Sequence, residues 1–146
     1  MYQYLACGLD NVLLENGYVV QSVDGEEHVS IDALDSLHMA IGLHLVNTSR
    51  SLNGKKIRFL RIEMDMSQKA FGLLLDKSDQ AVAKWEKGET AIPRADDACL
   101  RNLYLESLNK SSRFTEMLNR LNQIDRGIQS NEVVFAADGD QWGKTA

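Results

Sequence analysis

The chain has 146 residues, 44% of them hydrophobic and 25% charged, with a net charge of −5; this is an ordinary globular composition. Its apolar runs fall far short of the roughly 20 residues needed to cross a bilayer. The N-terminus, "MYQYLACGLDN", lacks the basic start and long apolar stretch of a secretory signal, so a cytoplasmic, non-membrane protein is expected.

Residues 2–31 read as β structure. "NVLLENGYVVQSV" holds two β-rich runs around Asn16-Gly17, a strong hairpin signal. "DGEE" then makes a turn, and "HVSI" reads as a third short strand. A helix is expected over 32–47, with Asp32 as N-cap and Asp35 in the acid-favouring first turn. Leu34, Leu37, Ile41 and Leu45 form one stripe on it. The polar "NTSRSLNG" at 47–54 marks a boundary.

From 54 to 108 the chain reads as four or five short helices. The first covers about 54–64, with Ile57, Leu60, Arg61 and Met64 on one side. Ser67 and Ser78 are good N-caps for the next two, and Gly88 is a good C′ residue. Pro93 fits the first turn of a helix running to about 108. A last helix over roughly 112–127 is expected from the stripe Phe114, Met117, Leu118, Leu121, Ile124 and Ile128, then a short strand at 132–136 and a polar tail. The fold class is α+β: a β-rich N-terminal unit with one helix (1–50) for dimer or partner binding, an all-α five-helix helix-turn-helix domain (54–108), and a C-terminal helix and tail (109–146).

The net charge hides an asymmetry. Residues 1–53 hold seven acids and one base, 54–94 hold nine bases and six acids, and 95–146 hold six bases and eight acids. A basic middle third in an acidic chain points to a nucleic-acid face confined to one module. Two short helices joined by a tight turn make a helix-turn-helix pattern. Gly72 supplies the small residue at the helix crossing. The turn, Leu75-Asp76-Lys77, needs a residue tolerant of a left-handed backbone, which Asp76 can be. Val82 and Trp85 anchor the inner face of the second helix, leaving Asp79, Gln80 and Lys84 on or near the outer one.

Residues 57–94 resemble the Xre family of helix-turn-helix regulators, which includes the lambda and 434 phage repressors and Cro. The matching residues are Leu60-Arg61, Met66-Ser67-Gln68, Ser78, Val82, Trp85-Glu86, Gly88 and Pro93, in register without insertion or deletion. The resemblance implies that Gln68 bonds a DNA phosphate, that Asp79, Gln80 and Lys84 read bases, and that Arg94 lies near the DNA backbone. It also implies a structural salt bridge between Arg61 and Glu86. Lys77 and Ser78 complete the candidate DNA-contacting set. Two residues depart from the family: the usual glycine of the turn is Asp76, and an acid stands at base-reading position 79.

The overall layout is similar to MqsA/YgiT-type antitoxins, whose zinc site is built from two Cys-x-x-Cys pairs. Only Cys7 stands in that region here, so a metal-free relative is expected. Cys99 and the three histidines, His28, His38 and His44, also lack metal-ligand spacing. No cofactor is expected. The chain has no Gly-rich phosphate loop and no His/Cys pair with an orienting acid, so an enzyme is not expected either. The expected function is a DNA-binding transcriptional regulator, a homodimer on a palindromic double-stranded operator. The finer reading is an autoregulatory antitoxin whose acidic N-terminal unit meets a basic toxin or serves as a dimerisation or packing unit. The alternatives are a free-standing phage or mobile-element repressor, and a protein-interaction adaptor with a degenerate helix-turn-helix. Surplus apolar surface in 95–128 is expected to meet the second copy.

Overall fold

The computed structural model of the chain describes residues 1–48, 50–109, 116, 120 and 133–145. Two short strands, β1 (Tyr2–Gln3) and β2 (Leu13–Leu14), pair antiparallel with Tyr2 opposite Leu14. The strands β3 (Tyr18–Val23) and β4 (Glu26–Ile31) then form a hairpin in register from Tyr18 opposite Ile31 to Val23 opposite Glu26. Its two-residue turn is Asp24-Gly25, with φ of 52° and 81°. Positive φ at both positions is the type I′ geometry that matches strand twist.

The hairpin expected at Asn16-Gly17 is therefore corrected. Gly17 is left-handed there, with φ of 77°, and Asn16 is not. One left-handed residue redirects the chain without closing a two-residue hairpin. Leu13 and Leu14 pair backwards with β1 instead.

Helix α1 spans Leu34–Val46. The expected Asp32 cap is also corrected: Ala33 occupies the N-cap position at φ 46°, with no side-chain cap bond. The Asp32 N–H donates to the Gly17 carbonyl at 2.9 Å. That bond extends the β3–β4 ladder by one rung, so Asp32 belongs to the hairpin and lies one residue too early to cap. Of the predicted stripe, Ile41 and Leu45 are buried, Leu37 packs partly buried against the core, and Leu34 is exposed.

Four helices follow: α2 (Gly54–Glu63), α3 (Gln68–Leu75), α4 (Asp79–Glu86) and α5 (Arg94–Ser107). Asn53 caps α2 by accepting from Lys56 N–H at 3.0 Å. Pro93 stands at the N-cap of α5, one position before its first turn. α1 packs on α5 and α2, α2 on α4 and α5, and α3 on α4. Among the described residues one apolar cluster joins the β unit to the helices, from Tyr4, Leu9 and Leu14 through Ile41 and Leu45 to Ile57, Leu60, Phe71, Val82, Leu100 and Tyr104. Gly42 permits the closest approach within it, because a Cβ there would stand 2.0 Å from the Tyr104 hydroxyl. The α+β fold class holds, and α1 is the fifth helix of the packed set.

Polar side chains fasten the same joints. The His38 ring on α1 lies 2.7 Å from the Tyr4 hydroxyl and 2.5 Å from the Glu63 carboxylate on α2. Arg101 on α5 donates to the carbonyls of Val46 (3.2 Å), Thr48 and Arg50 (2.5 Å). It also pairs with Asp97 at 2.7 Å, and Asp97 in turn accepts from Leu52 N–H at 2.8 Å.

At the C-terminal end, β5 (Phe135–Asp138) and β6 (Gln141–Lys144) form a second hairpin. The polar tail expected after 136 is thus a strand pair. Its turn, Gly139-Asp140, places the glycine at φ 62°. The helix expected over 112–127 lies outside the described residues. No described helix is long and apolar enough to cross a membrane.

Candidate nucleic-acid interface

The site is built from α3, a three-residue turn and α4. Ser67 caps α3 by accepting from Ala70 N–H at 3.0 Å, and Ser78 caps α4 by accepting from Ala81 N–H at 3.1 Å. Each cap satisfies one of the orphan donors at a helix start. Between them Asp76 adopts the left-handed conformation, φ 55° and ψ 44°. The Lys77 N–H then returns to the Gly72 carbonyl at 2.8 Å. Gly72 is required by the turn itself, since a Cβ there would lie 2.6 Å from the Lys77 carbonyl oxygen. The glycine usual in this turn is replaced by a residue whose short polar side chain tolerates the same backbone.

Helix α4 is held from behind. Val82 is fully buried and Trp85 is 5% exposed. The start of α2 abuts the end of α4: a Cβ on Gly54 would stand 2.3 Å from the Glu86 carbonyl oxygen and 2.6 Å from that of Trp85. Arg61 forks onto Glu86, with Nε to Oε2 at 2.7 Å and Nη2 to Oε1 at 2.9 Å. Its Nη1 donates to the Met66 carbonyl at 2.8 Å, and Gln68 Nε2 donates to Glu86 Oε1 at 3.2 Å. The two charged side chains are only 12% and 5% exposed. Removing one partner from a buried pair of this kind costs about 3–5 kcal/mol, because the other is left uncompensated. This cluster ties α2, the start of α3 and the end of α4 into one frame.

The opposite side of α4 is open. Ser78, Asp79, Gln80, Lys84 and Lys87 are all exposed. Asp79 Oδ1 accepts from the Gln80 N–H at 3.0 Å. Its charge lies on the positive end of the helix dipole, where an acid is favourable; the acid at this position thus stabilises the helix start. Lys77 turns towards α5, its ammonium 3.7 Å from Asp96 Oδ2. That oxygen is buried and, among the described residues, has no hydrogen-bond partner. Arg94, the first residue of α5, is exposed, and Gln68 is half-buried beside Glu86. The structure therefore brings Gln68 into the Arg61–Glu86 cluster and Lys77 to Asp96, and leaves Gln80 and Lys84 projecting together from α4.

Sequence reasoning missed the polar residues that frame the site. Asp96 and Asp97 were not singled out in the sequence, yet both are buried. The helix start expected at about residue 54 is where α2 begins, and what the sequence reading did not single out is the Asn53 cap, which accepts from the Lys56 N–H.

Residues 57–98 match the helix-turn-helix family model. This segment is a helix-turn-helix module, the architecture that DNA-binding regulators use to present a recognition helix. No curated protein and no solved structure matches the chain.

Proposed function

We propose that the protein is a DNA-binding transcriptional regulator that reads an operator with α4. The observation supporting this is the two-sided character of α4: Val82 and Trp85 buried behind it, and Gln80 and Lys84 exposed in front. Glutamine can bond an adenine edge bidentately, and lysine can reach guanine acceptors. Ser78, Lys77, Gln68 and Arg94 flank this face and contact the phosphates. Lys77 reaches them by leaving Asp96, and the second amide hydrogen of Gln68 serves the same purpose. Asp79 accepts from a cytosine amino group or stays on the helix start. One recognition helix reads few base pairs, so the functional unit is a homodimer on a palindromic site.

The finer reading is an autoregulatory antitoxin. The acidic β unit supports it, since its charge suits a basic protein partner better than DNA. An adjoining reading frame whose product arrests growth, and is neutralised by this chain, is the finding expected.

The DNA test starts from duplexes selected out of a random pool. Gln80→Ala and Lys84→Ala should each weaken the selected site by roughly 1–3 kcal/mol and relax its sequence. The logarithm of affinity should also fall linearly with the logarithm of salt. Failure to enrich any duplex, with the fold intact, would show the module to be a protein-contact adaptor.

A further inference from the structure

The β3–β4 hairpin projects from the body with only its base engaged. Tyr18 and Ile31 pack against the core, and the Tyr18 ring stacks with Tyr2 at 5.3 Å. Beyond them Val19, Val20 and Val23 are each about half exposed, at 50%, 46% and 48%. A two-stranded hairpin alone is marginal in water; more strands are needed to stabilise it. Its two edges differ. The outer edge of β4 begins Glu26, Glu27, His28, and charged side chains are the usual guard against edge pairing. The edge of β3, "YVVQSV", has no charge and no proline. Among the described residues no strand pairs with it.

The ladder also fixes which backbone groups of β3 are unused. The Asp32 N–H bonds the Gly17 carbonyl, and hydrogen-bonded pairs recur every second residue along an antiparallel ladder. Residues 19, 21 and 23 therefore spend their N–H and C=O on β4, while Tyr18, Val20 and Ser22 turn theirs outward. We infer that this edge pairs antiparallel with β3 of a second copy of the chain, with Val20 opposite Val20 of the mate.

Three features select that occupant and that register. A two-fold axis perpendicular to the sheet pairs residues on the same face. Centring it on Val20 sets Tyr18 against Ser22 of the mate, so all three outward-facing residues are matched at once. Val20 lies opposite Val29 within its own hairpin. Pairing two copies therefore builds an unbroken apolar row, Val29–Val20–Val20–Val29, across four strands. Finally, the acidic turns around Asp24, Glu26 and Glu27 fall at opposite ends of the new sheet. At about 3.4 Å per residue the two Asp24 positions lie about 27 Å apart, well beyond the screening length in physiological salt. By contrast, α5 spends Leu100 and Tyr104 inside its own core and leaves Leu105 44% exposed.

The inference does not rest on the DNA reading and is tested without DNA, by sedimentation of the full chain at micromolar concentration. The wild type should be a dimer. Val20→Pro removes an outward N–H that β4 does not use, a place where an edge strand accepts proline. It should weaken the dimer at least about tenfold, with far-ultraviolet dichroism unchanged. Val20→Lys, which sets like charges directly opposite, should act in the same direction if proline disturbs the hairpin. Val20→Cys should form a disulfide-linked dimer on oxidation, whereas Ser22→Cys, whose mate position is Tyr18, and the wild type should not. A monomeric wild type would overturn the proposal. So would dimers of Val20→Pro and Val20→Lys as tight as the wild type, or dissociation by Leu105→Lys alone, which would move the interface to α5. Retention of a foreign strand by a monomeric chain would assign the edge to another protein.

Discussion

Ala33 is the residue whose conformation is least suited to its side chain. It holds φ 46° immediately before α1 and provides no cap. A left-handed backbone costs an L-residue roughly 1–2 kcal/mol, and glycine adopts it without that cost. Ala33→Gly should therefore raise stability by about 0.5–1 kcal/mol, read as an upward shift of the thermal midpoint. Tyr104 gives a second residue-level test. Burial, and then the field of Glu63, push its phenol above the ordinary value, and burial does the same for Tyr4. The unfolded chain then loses these protons first. The contribution of these two phenols to stability should stay level up to about pH 10, their ordinary value, and fall above it as the folded state holds its protons. Urea unfolding at pH 8 to 11 should show a smaller alkaline loss in Tyr104→Phe than in the wild type.

At the level of elements, the meeting of α2 and α4 decides how well α4 can be aimed. The carbonyls of Trp85 and Glu86 leave no room for a Cβ at Gly54, and both are backbone atoms that cannot swing aside. Gly54→Ala should cost about 2 kcal/mol, as overpacked contacts do. It should also weaken DNA binding beyond the loss of folded protein, measured by anisotropy under fully folding conditions. The same elements show what a sequence can and cannot disclose. α3 and α4 were legible because Ser67, Ser78 and Gly88 are local signals that act within a few residues. The partner of Leu13 and Leu14 was not, because Asn16-Gly17 is as good a local hairpin signal as Asp24-Gly25, and the turn expected at the second closes while the hairpin expected at the first does not. Which one closes depends on whether Leu13 and Leu14 find Tyr2, a contact between segments ten residues apart. Asp32 failed as a cap for a related reason: one more rung of a distant ladder took its N–H. Burial of Asp96 and Asp97 was equally hidden, since it depends on Lys77, Leu52 and Arg101, none of them neighbours in the first turn of α5.

On the scale of the whole molecule, the polar connector between α1 and α2 looks like a seam and is bonded like a joint. Arg101 holds two of its carbonyls and that of Val46 at the end of α1, and Asp97 holds the Leu52 N–H. Ile41 and Leu45 share one core cluster with Leu100 and Tyr104 on α5. A fragment of residues 54–108 should accordingly fail to fold cooperatively, whereas a fragment of residues 1–109 should melt in one transition; calorimetry separates the two outcomes. The stretch that matches other helix-turn-helix proteins, 57–98, is thus shorter than the stretch that can be transplanted. Grafting its recognition surface onto another scaffold would mean carrying α1 and the connector along, or redesigning α5 so that Asp97 and Arg101 have nothing left to hold.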